Sequence, residues 1–540
     1  MSTNWEVEGI LFLRKKNKKL AIIIPCMNEE STISAVIQQA KKLNPDSLIV
    51  VVNGSSDRTA ELARNEGAEV IEYDYPLGND VGRAIGAMHA KADIYLFLDG
   101  DLVIPAEDLY PFVEDIENGA DMALNSIDWV ARFPAPHAPA IARYFINIVQ
   151  GRRDLGLENV LTVPHAFSRR ALDLIGKHTL AIPQLANAKV LERNLKVTVS
   201  NNINVLAINK KRDNHIAKAG ELMPKAYDRM HGDTVEALWY LIGRTDRRGG
   251  YSQGNRKRKT YSRRHAYTRD WKAKRPAESS IVLSVTQNAV YLRQLLEQLI
   301  QYDIELIPIV HDASPQVIQI FKRYQIPFIE IPHFIGHDVA FAIGSELATG
   351  RNIVFHDTTI PIDSLSFIPF LQHLKHGQAD ITLNDHSRYL GKLEGMHAAH
   401  IGNCFVNIMA RKNDLSASSM LLPPYGMNRN ALERIGSFVL MSPCVAHLRA
   451  LHLGLKVKPV VEIDYHERIN ETLKPIVLNQ DRIIGDFMEG IYYWTQLFGK
   501  RGGFHDGDRI RSVLNNDWMM NEPVKNIQTP GLESLYWILE

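Results

Sequence analysis

Unbroken apolar runs alternate with stretches of helical period from early in the chain. Residues 20–24 form an apolar run that closes at Pro25. Ser31 is placed to cap a helix in which Ile33, Val36, Ile37, Ala40 and Leu43 share one face. Residues 48–52 are a second run, ending in Asn-Gly-Ser-Ser-Asp and followed by a helix to Glu66. Residues 68–73 form a third strand. A helix over 81–90 then leads to a fourth strand, 94–98, which runs into Asp99-Gly100-Asp101. Strands apolar on both faces, alternating with amphipathic helices, predict an α/β fold with a mostly parallel sheet covered on both sides. Ligands of such sheets bind beyond the carboxyl ends of the strands. Three polar clusters fall there: Asn28/Glu29, Asn53/Asp57 and Asp99/Asp101.

The pattern then recurs. Gly78 to Gly86 matches Gly336 to Gly344 at an offset of 258, with six of nine residues identical. Asn147 to Pro183 matches Asn407 to Pro443 at an offset of 260, without a gap and with thirteen identities in thirty-seven positions. Arg248-Gly-Gly-Tyr251 is echoed by Arg501-Gly-Gly-Phe504. A period this long signals duplication of a whole domain rather than a solenoid. The expected organisation is a first domain over 18–245, a basic linker over 246–279, a second domain over 280–510 and a tail over 511–540.

Composition narrows the class. Hydrophobic residues at 45% and charged residues at 23% suit a globular chain, and 540 residues exceed one ordinary core. A net charge of +1 argues against a stable nucleic-acid partner. Three scattered cysteines, Cys26, Cys404 and Cys444, fit neither a disulfide framework nor a zinc site. The start places apolar residues 10–13 before Arg14, Lys15, Lys16, Lys18 and Lys19, the reverse of a secretory signal. No apolar run approaches the ~20 residues that span a bilayer, so a cytoplasmic protein is expected. Residues 244–275 hold thirteen Lys/Arg against Asp246 and Asp270. Such a run reads as a solvated linker, or as an arm for a polyanionic acceptor, nucleic acid or anionic lipid, the last of which would bring peripheral contact with the inner membrane face.

Asp99-Gly100-Asp101 carries the sharpest chemistry. Two carboxylates two residues apart at a strand end can hold one hard cation, although Asp-Gly also makes an ordinary turn before Pro105. The order Ile22-Ile-Ile-Pro-Cys-Met-Asn-Glu-Glu30, Val50-Val-Val-Asn-Gly-Ser-Ser-Asp-Arg-Thr59, Gly78 to Gly86 and Phe97-Leu-Asp-Gly-Asp101 resembles family 2 glycosyltransferases. The resemblance implies two tandem GT-A domains, the Rossmann-like fold of nucleotide-diphospho-sugar transferases. It also implies a nucleotide-sugar donor, Mg²⁺ or Mn²⁺ as cofactor, and transfer to an acceptor that is a saccharide, a phospho-acid or a lipid-linked group. It places Pro25, Asn28, Glu29, Asn53 and Asp57 around the nucleoside and Arg83 at the diphosphate-sugar. It sets Asp99 by the ribose and sugar, and makes Asp101 the metal ligand.

The chain also departs from that family. Val52-Asn53 stands where an acid is common, and residues 182–192 lack the late Glu-Asp pair of inverting members, leaving Glu192 as a candidate general base beside Asp128, Asp154 and Glu158. The segments Gly151-Arg152-Arg153-Asp154 and Pro164-His165-Ala166 resemble the acceptor loop of glucosyl-3-phosphoglycerate synthases, which implies Arg152, Arg153 and His165 as acceptor residues. By the same likeness His215, with His231 behind it, would complete the metal site. The second copy keeps the scaffold but reads Asp357-Thr358-Thr359 at the acidic turn, with His311 for Asn53 and Ala289 for Glu29. A degenerate, non-catalytic second domain is expected, or else a different ligand site at His311, Asp312, His337 and His356. A non-catalytic sugar-nucleotide-binding or scaffold protein is the alternative for the whole chain.

Overall fold

The computed structural model describes residues 17–134, 136–209, 216–217, 223–272, 277–287, 289–464, 479–507, 509–514 and 531–540. The chain divides into two compact units. The first comprises Met1–Tyr240 and Gly503–Pro523, the second Leu241–Gly502 and Val524–Glu540.

In the first unit the apolar runs become β1 (Leu20–Cys26), β2 (Ser47–Asn53), β3 (Glu69–Tyr73) and β4 (Ile94–Phe97), followed by β5 (Met122–Asn125), β6 (His165–Ser168) and β7 (Val197–Asn201). They form one sheet in the order β3-β2-β1-β4-β6-β5-β7. β1 pairs in parallel with β2 and β4, and β6 alone runs antiparallel to its neighbours β4 and β5. Ile22, Ile23 and Ile24 are fully buried, as expected for a strand covered on both faces, and each contributes roughly 1.5–3 kcal/mol. The helix after β1 spans Ile33–Lys41 and buries Ile33, Val36, Ile37 and Ala40. Its N-cap is Thr32, not Ser31, and no side chain caps it. The Thr32 hydroxyl instead donates to the carbonyl of Gly100 at 2.8 Å, tying this helix to the acidic turn.

The second unit repeats the plan. Its strands are β8 (Ser279–Val285), β9 (Glu305–His311), β10 (Ile329–Ile331), β11 (Asn352–Asp357), β12 (Ile381–Asn384), β13 (Tyr425–Asn428) and β14 (Val457–Val461). Their order is β10-β9-β8-β11-β13-β12-β14, the first sheet again.

The boundaries fall differently from the duplicated stretches. Residues 246–272 are exposed over much of their length but are not free throughout. Three of their arginines enter the second unit: Arg248 and Arg256 donate to Asp486 at 2.8 and 2.7 Å, and Arg258 meets Glu489 through both Nη atoms at 2.8 and 2.7 Å. Buried guanidinium groups need such partners, because an unpaired ion in the interior is costly. No described helix is long and apolar enough to cross a membrane.

Candidate active site

Beyond β4 the chain turns through Asp99-Gly100-Asp101. A Cβ on Gly100 would stand 2.7 Å from the Cβ of Cys26, so the turn lies hard against the end of β1. The helix Asn79–His89 brings Arg83 to it from the other side. Arg83 donates through Nη2 to Asp99 at 2.5 Å and through Nη1 to Asp80 at 2.6 Å. Its side chain is only 7% exposed, so the two pairs form in poorly solvated surroundings where charge-assisted bonds are strong. Burial pushes the Asp99 carboxyl above its ordinary value, against the downward pull of Arg83. Asp101 is buried as well.

These groups line a cavity of about 650 Å³ within the first unit. Asn53, Gly78, Asp80, Arg83, Asp99 and Asp101 form its polar wall at the strand ends. Much of the remaining lining is apolar, including Val130, Leu157, Leu161, Val205, Leu206 and Met230. Among them stands Arg143, which reaches Thr162 Oγ1 at 2.6 Å and whose burial pushes its guanidinium down to about 10. Nothing in the motif order pointed to Arg143. The one available signal was a lone cation in the apolar helix Ala138–Val149.

The sequence-derived donor residues take several positions. Asn53 lines the cavity but acts as a bracket: its Nδ2 donates to the Cys26 carbonyl at 3.0 Å, and its Oδ1 accepts from the amides of Leu77 and Gly78 at 3.2 Å each. An acid at position 53 could accept but not donate; the departure from the family pattern lies at Val52, which is fully buried. Asn28, with φ of 56°, and Asp57 build the loops beside the cavity. Asn28 Oδ1 accepts from Ser56 N at 2.8 Å. Asp57 accepts from Thr59 N at 3.0 Å and Glu30 N at 3.1 Å, bonds that hold its carboxyl below the ordinary value despite the upward push of desolvation. Glu29 is buried, with its amide on Thr59 Oγ1 at 2.8 Å. Pro25, next to last in β1, lies beneath Gly82, whose added Cβ would lie 2.8 Å from the proline ring.

Other candidates do not reach the cavity. Glu192 sits at the end of the helix Pro183–Glu192, paired with Arg193 at 2.7 Å. Arg152 is bound to its neighbour Asp154 at 2.8 Å, and Arg153 lies over the Tyr144 ring. His165 is a core residue of β6, stacked on Phe97 at 5.2 Å with Nδ1 on the Thr162 carbonyl at 3.0 Å. Burial, with the Arg83 charge, drops its imidazole to about 3. His231 is buried in the helix Lys225–Arg244. His215 lies outside the described residues.

A divalent cation is compatible with the donor set that remains. Asp99 and Asp101 supply hard oxygen atoms, and Mg²⁺ or Mn²⁺ commonly takes its other ligands from substrate phosphates and water. Among the described residues no group of three or more His, Cys, Asp or Glu is arranged to hold a metal by itself.

At the matching place in the second unit, Phe341 stands for Arg83. Asp357 accepts from Thr359 N at 2.9 Å and lies 3.2 Å from His337 Nδ1. Ser284 Oγ bridges His311 at 2.8 Å and His337 at 2.9 Å, and all three are buried. Desolvation drops His311, His337 and His356 to about 2, 4 and 3, and lifts Asp357 to about 6. The neutral rings of His311 and His337, joined through Ser284 Oγ, form an interior network, while His356 meets the Tyr291 hydroxyl. Asp312 is exposed and stands apart from it.

The chain is similar to known glycosyltransferases. Residues 21–173 match the model of glycosyl transferase family 2. Protein RfbJ of Shigella flexneri is 38% identical over 110 residues, which is 19% of this chain and 82% of that protein. Glucosyl-3-phosphoglycerate synthase of Mycobacterium tuberculosis is 32% identical over 113 residues, 19% of this chain but only 34% of the synthase. A crystal structure of that synthase with Mn²⁺, UDP and glucosyl-3-phosphoglycerate aligns with 42% of this chain and 80% of its own, at 18% identity and a TM-score of 0.30.

Proposed function

Because this chain belongs to glycosyl transferase family 2, we propose that its first unit moves a sugar from a nucleotide-sugar donor to an acceptor, with Asp99 and Asp101 as the metal-binding acids. The observation that carries the reading is the Arg83–Asp99 pair beside Asp101 in the wall of a cavity of about 650 Å³ at the strand ends. The cation would supply Lewis-acid neutralisation of the diphosphate leaving group. Arg83 holds Asp99 in one orientation and adds positive charge on the side where the diphosphate is expected. Asn53 fixes the Gly78 turn relative to the end of β1, and so sets the width of the donor end. Mn²⁺ is present in the glucosyl-3-phosphoglycerate synthase complex, which supports a divalent ion here.

The apolar lining around Arg143, with the basic Lys225 and Arg229 in the same cavity, favours an acceptor with an apolar body and an acidic group over a plain saccharide. Sugars need many hydrogen-bond partners, and an apolar wall leaves their hydroxyls unsatisfied. Arg143 would fork onto a carboxylate or phosphate of that acceptor.

The test is release of nucleoside diphosphate from a panel of UDP-, GDP- and dTDP-sugars, with Mn²⁺ or Mg²⁺ and with EDTA. Metal-dependent release from at least one donor supports the reading. Binding without turnover across the panel would leave the non-catalytic scaffold standing and overturn the enzyme reading.

A further inference from the structure

The first unit contains a segment that follows the whole second copy in sequence, and that segment reaches the polar wall of the cavity. Arg509 is its deepest residue, with a side chain 0% exposed. It grips Asp233 of the helix Lys225–Arg244 with both Nη atoms, and Nη1 also reaches Asp80 Oδ2 at 3.2 Å. Asp80 gives its other oxygen to Arg83, and Arg83 gives its other Nη to Asp99. Charges therefore alternate without a break along Asp233, Arg509, Asp80, Arg83 and Asp99. Gly78, at φ of +87°, makes room for this: a Cβ there would stand 2.7 Å from Arg509 Cγ.

The second unit holds the same clasp without its last two rungs. The sequence of 248–258 repeats at 501–511 with six of eleven residues identical, including Gly254/Gly507, Arg256/Arg509 and Arg258/Arg511. Asp233 and Glu236 recur as Asp486 and Glu489. Arg256 bridges Asp486 at 2.7 Å and Asp338 at 2.6 Å, as Arg509 bridges Asp233 and Asp80. There the series stops, because Phe341 replaces Arg83 and cannot pass a bond on to Asp357.

We propose that Arg509 is a positioning residue for the donor site, holding Asp80 so that Arg83 keeps Asp99 in its working orientation. The inference rests on the functional reading above. Arg509 need not touch the donor. It fixes one oxygen of a carboxylate whose other oxygen fixes Arg83, and a bridging carboxylate bonded at both ends has little freedom to swing. Its counterpart Arg256 performs the structural half of the task alone, which makes the second unit an internal control.

The experiment compares Arg509→Lys with Arg256→Lys in the full chain, using the nucleotide-sugar that the wild type turns over and saturating Mn²⁺. Lysine keeps the charge but loses the fork that spans two carboxylates. Both variants should lower the melting temperature. Only Arg509→Lys should lower kcat, about tenfold or more, with the donor KM changed less than kcat. Asp80→Asn against Asp338→Asn gives a second pair that leaves Arg509 its bonds to Asp233 and to Asp506, whose Oδ1 it also meets; it decides by the same criterion if Arg509→Lys does not fold. Equal effects on kcat within either folded pair, or Arg509→Lys at wild-type kcat, overturn the proposal while leaving the enzyme intact. A wild type that releases no nucleoside diphosphate from any donor overturns the functional reading and this inference with it.

Discussion

Replacing His165 by phenylalanine should remove a defined part of the protein's acid sensitivity. The imidazole is 1% exposed, stacked on Phe97, and held neutral by burial at a value of about 3. An unfolded histidine titrates near 6.5. The folded value is depressed, so between these limits the unfolded chain binds the proton and the folded chain does not. The stability tied to the neutral ring is therefore complete above pH 6.5 and is lost as pH falls toward 3. From pH 7 to pH 5 the loss is about 1.5 pH units at 1.36 kcal/mol each, roughly 2 kcal/mol. For a unit of this size that is about 4–8 °C in melting temperature. Phenylalanine keeps the stack on Phe97 and forfeits the bond to the Thr162 carbonyl, costing about 1 kcal/mol at every pH. Calorimetric melts of both proteins at pH 7 and pH 5 give the comparison. The wild type should lose several degrees more than His165→Phe in the transition of the first unit. Parallel losses in the two proteins would refute the neutral, buried histidine.

Three further outcomes separate the site from its surroundings. Asp101→Asn should cut Mn²⁺-dependent nucleoside diphosphate release by about 100-fold or more with the melting temperature held, measured by coupled assay over a donor panel. Glu192→Gln should leave that rate within about twofold, because the carboxylate is engaged by Arg193 away from the cavity; a large loss would restore it as a base. Asp357→Asn should also leave turnover within about twofold. Since burial lifts Asp357 to about 6, its folded form favours the proton, and wild-type stability declines as pH rises from 4 through 6. The asparagine variant should lack that decline in melts of the second unit.

Much of the first sheet was legible because strands buried on both faces have a plain signature. Ile22, Ile23, Ile24 and residues 48–52 admit few other readings, and the acids at their ends then fall together by topology. The clasping segments were not legible. Arg248, Arg256 and Arg258 stand among glycines, serines and other bases, and composition alone gives a solvated linker and a buried strap the same appearance. What distinguishes them is the pairing of Arg256/Arg258 with Asp486/Glu489, repeated as Arg509/Arg511 with Asp233/Glu236. His165 misled for a related reason. A histidine in a motif-like loop suggests a ligand, whereas here it is the first residue of β6 and its register against Phe97 sends it into the core. Arg143 escaped because a lone cation on an apolar helix carries no motif.

The two copies share a sheet order, a clasp and a glycine turn, and among their differences two fall at or beside the acidic turn. Position 83 carries arginine where 341 carries phenylalanine, and position 101 carries aspartate where 359 carries threonine. Either loss alone would weaken a diphosphate site, the first by removing a cation and the second by removing a metal ligand. Burial raises the Asp357 carboxyl to about 6, against its bond from Thr359 and the weaker pull of Arg482, and it lies beside His337 rather than a bonded arginine. Burial raises Asp99 too, but Arg83 is bonded to it. On the proposed function, the difference between the units lies at Asp101 and at Arg83 with its supports. Those supports run through Asp80 to an arginine that the chain supplies only after its second copy is complete.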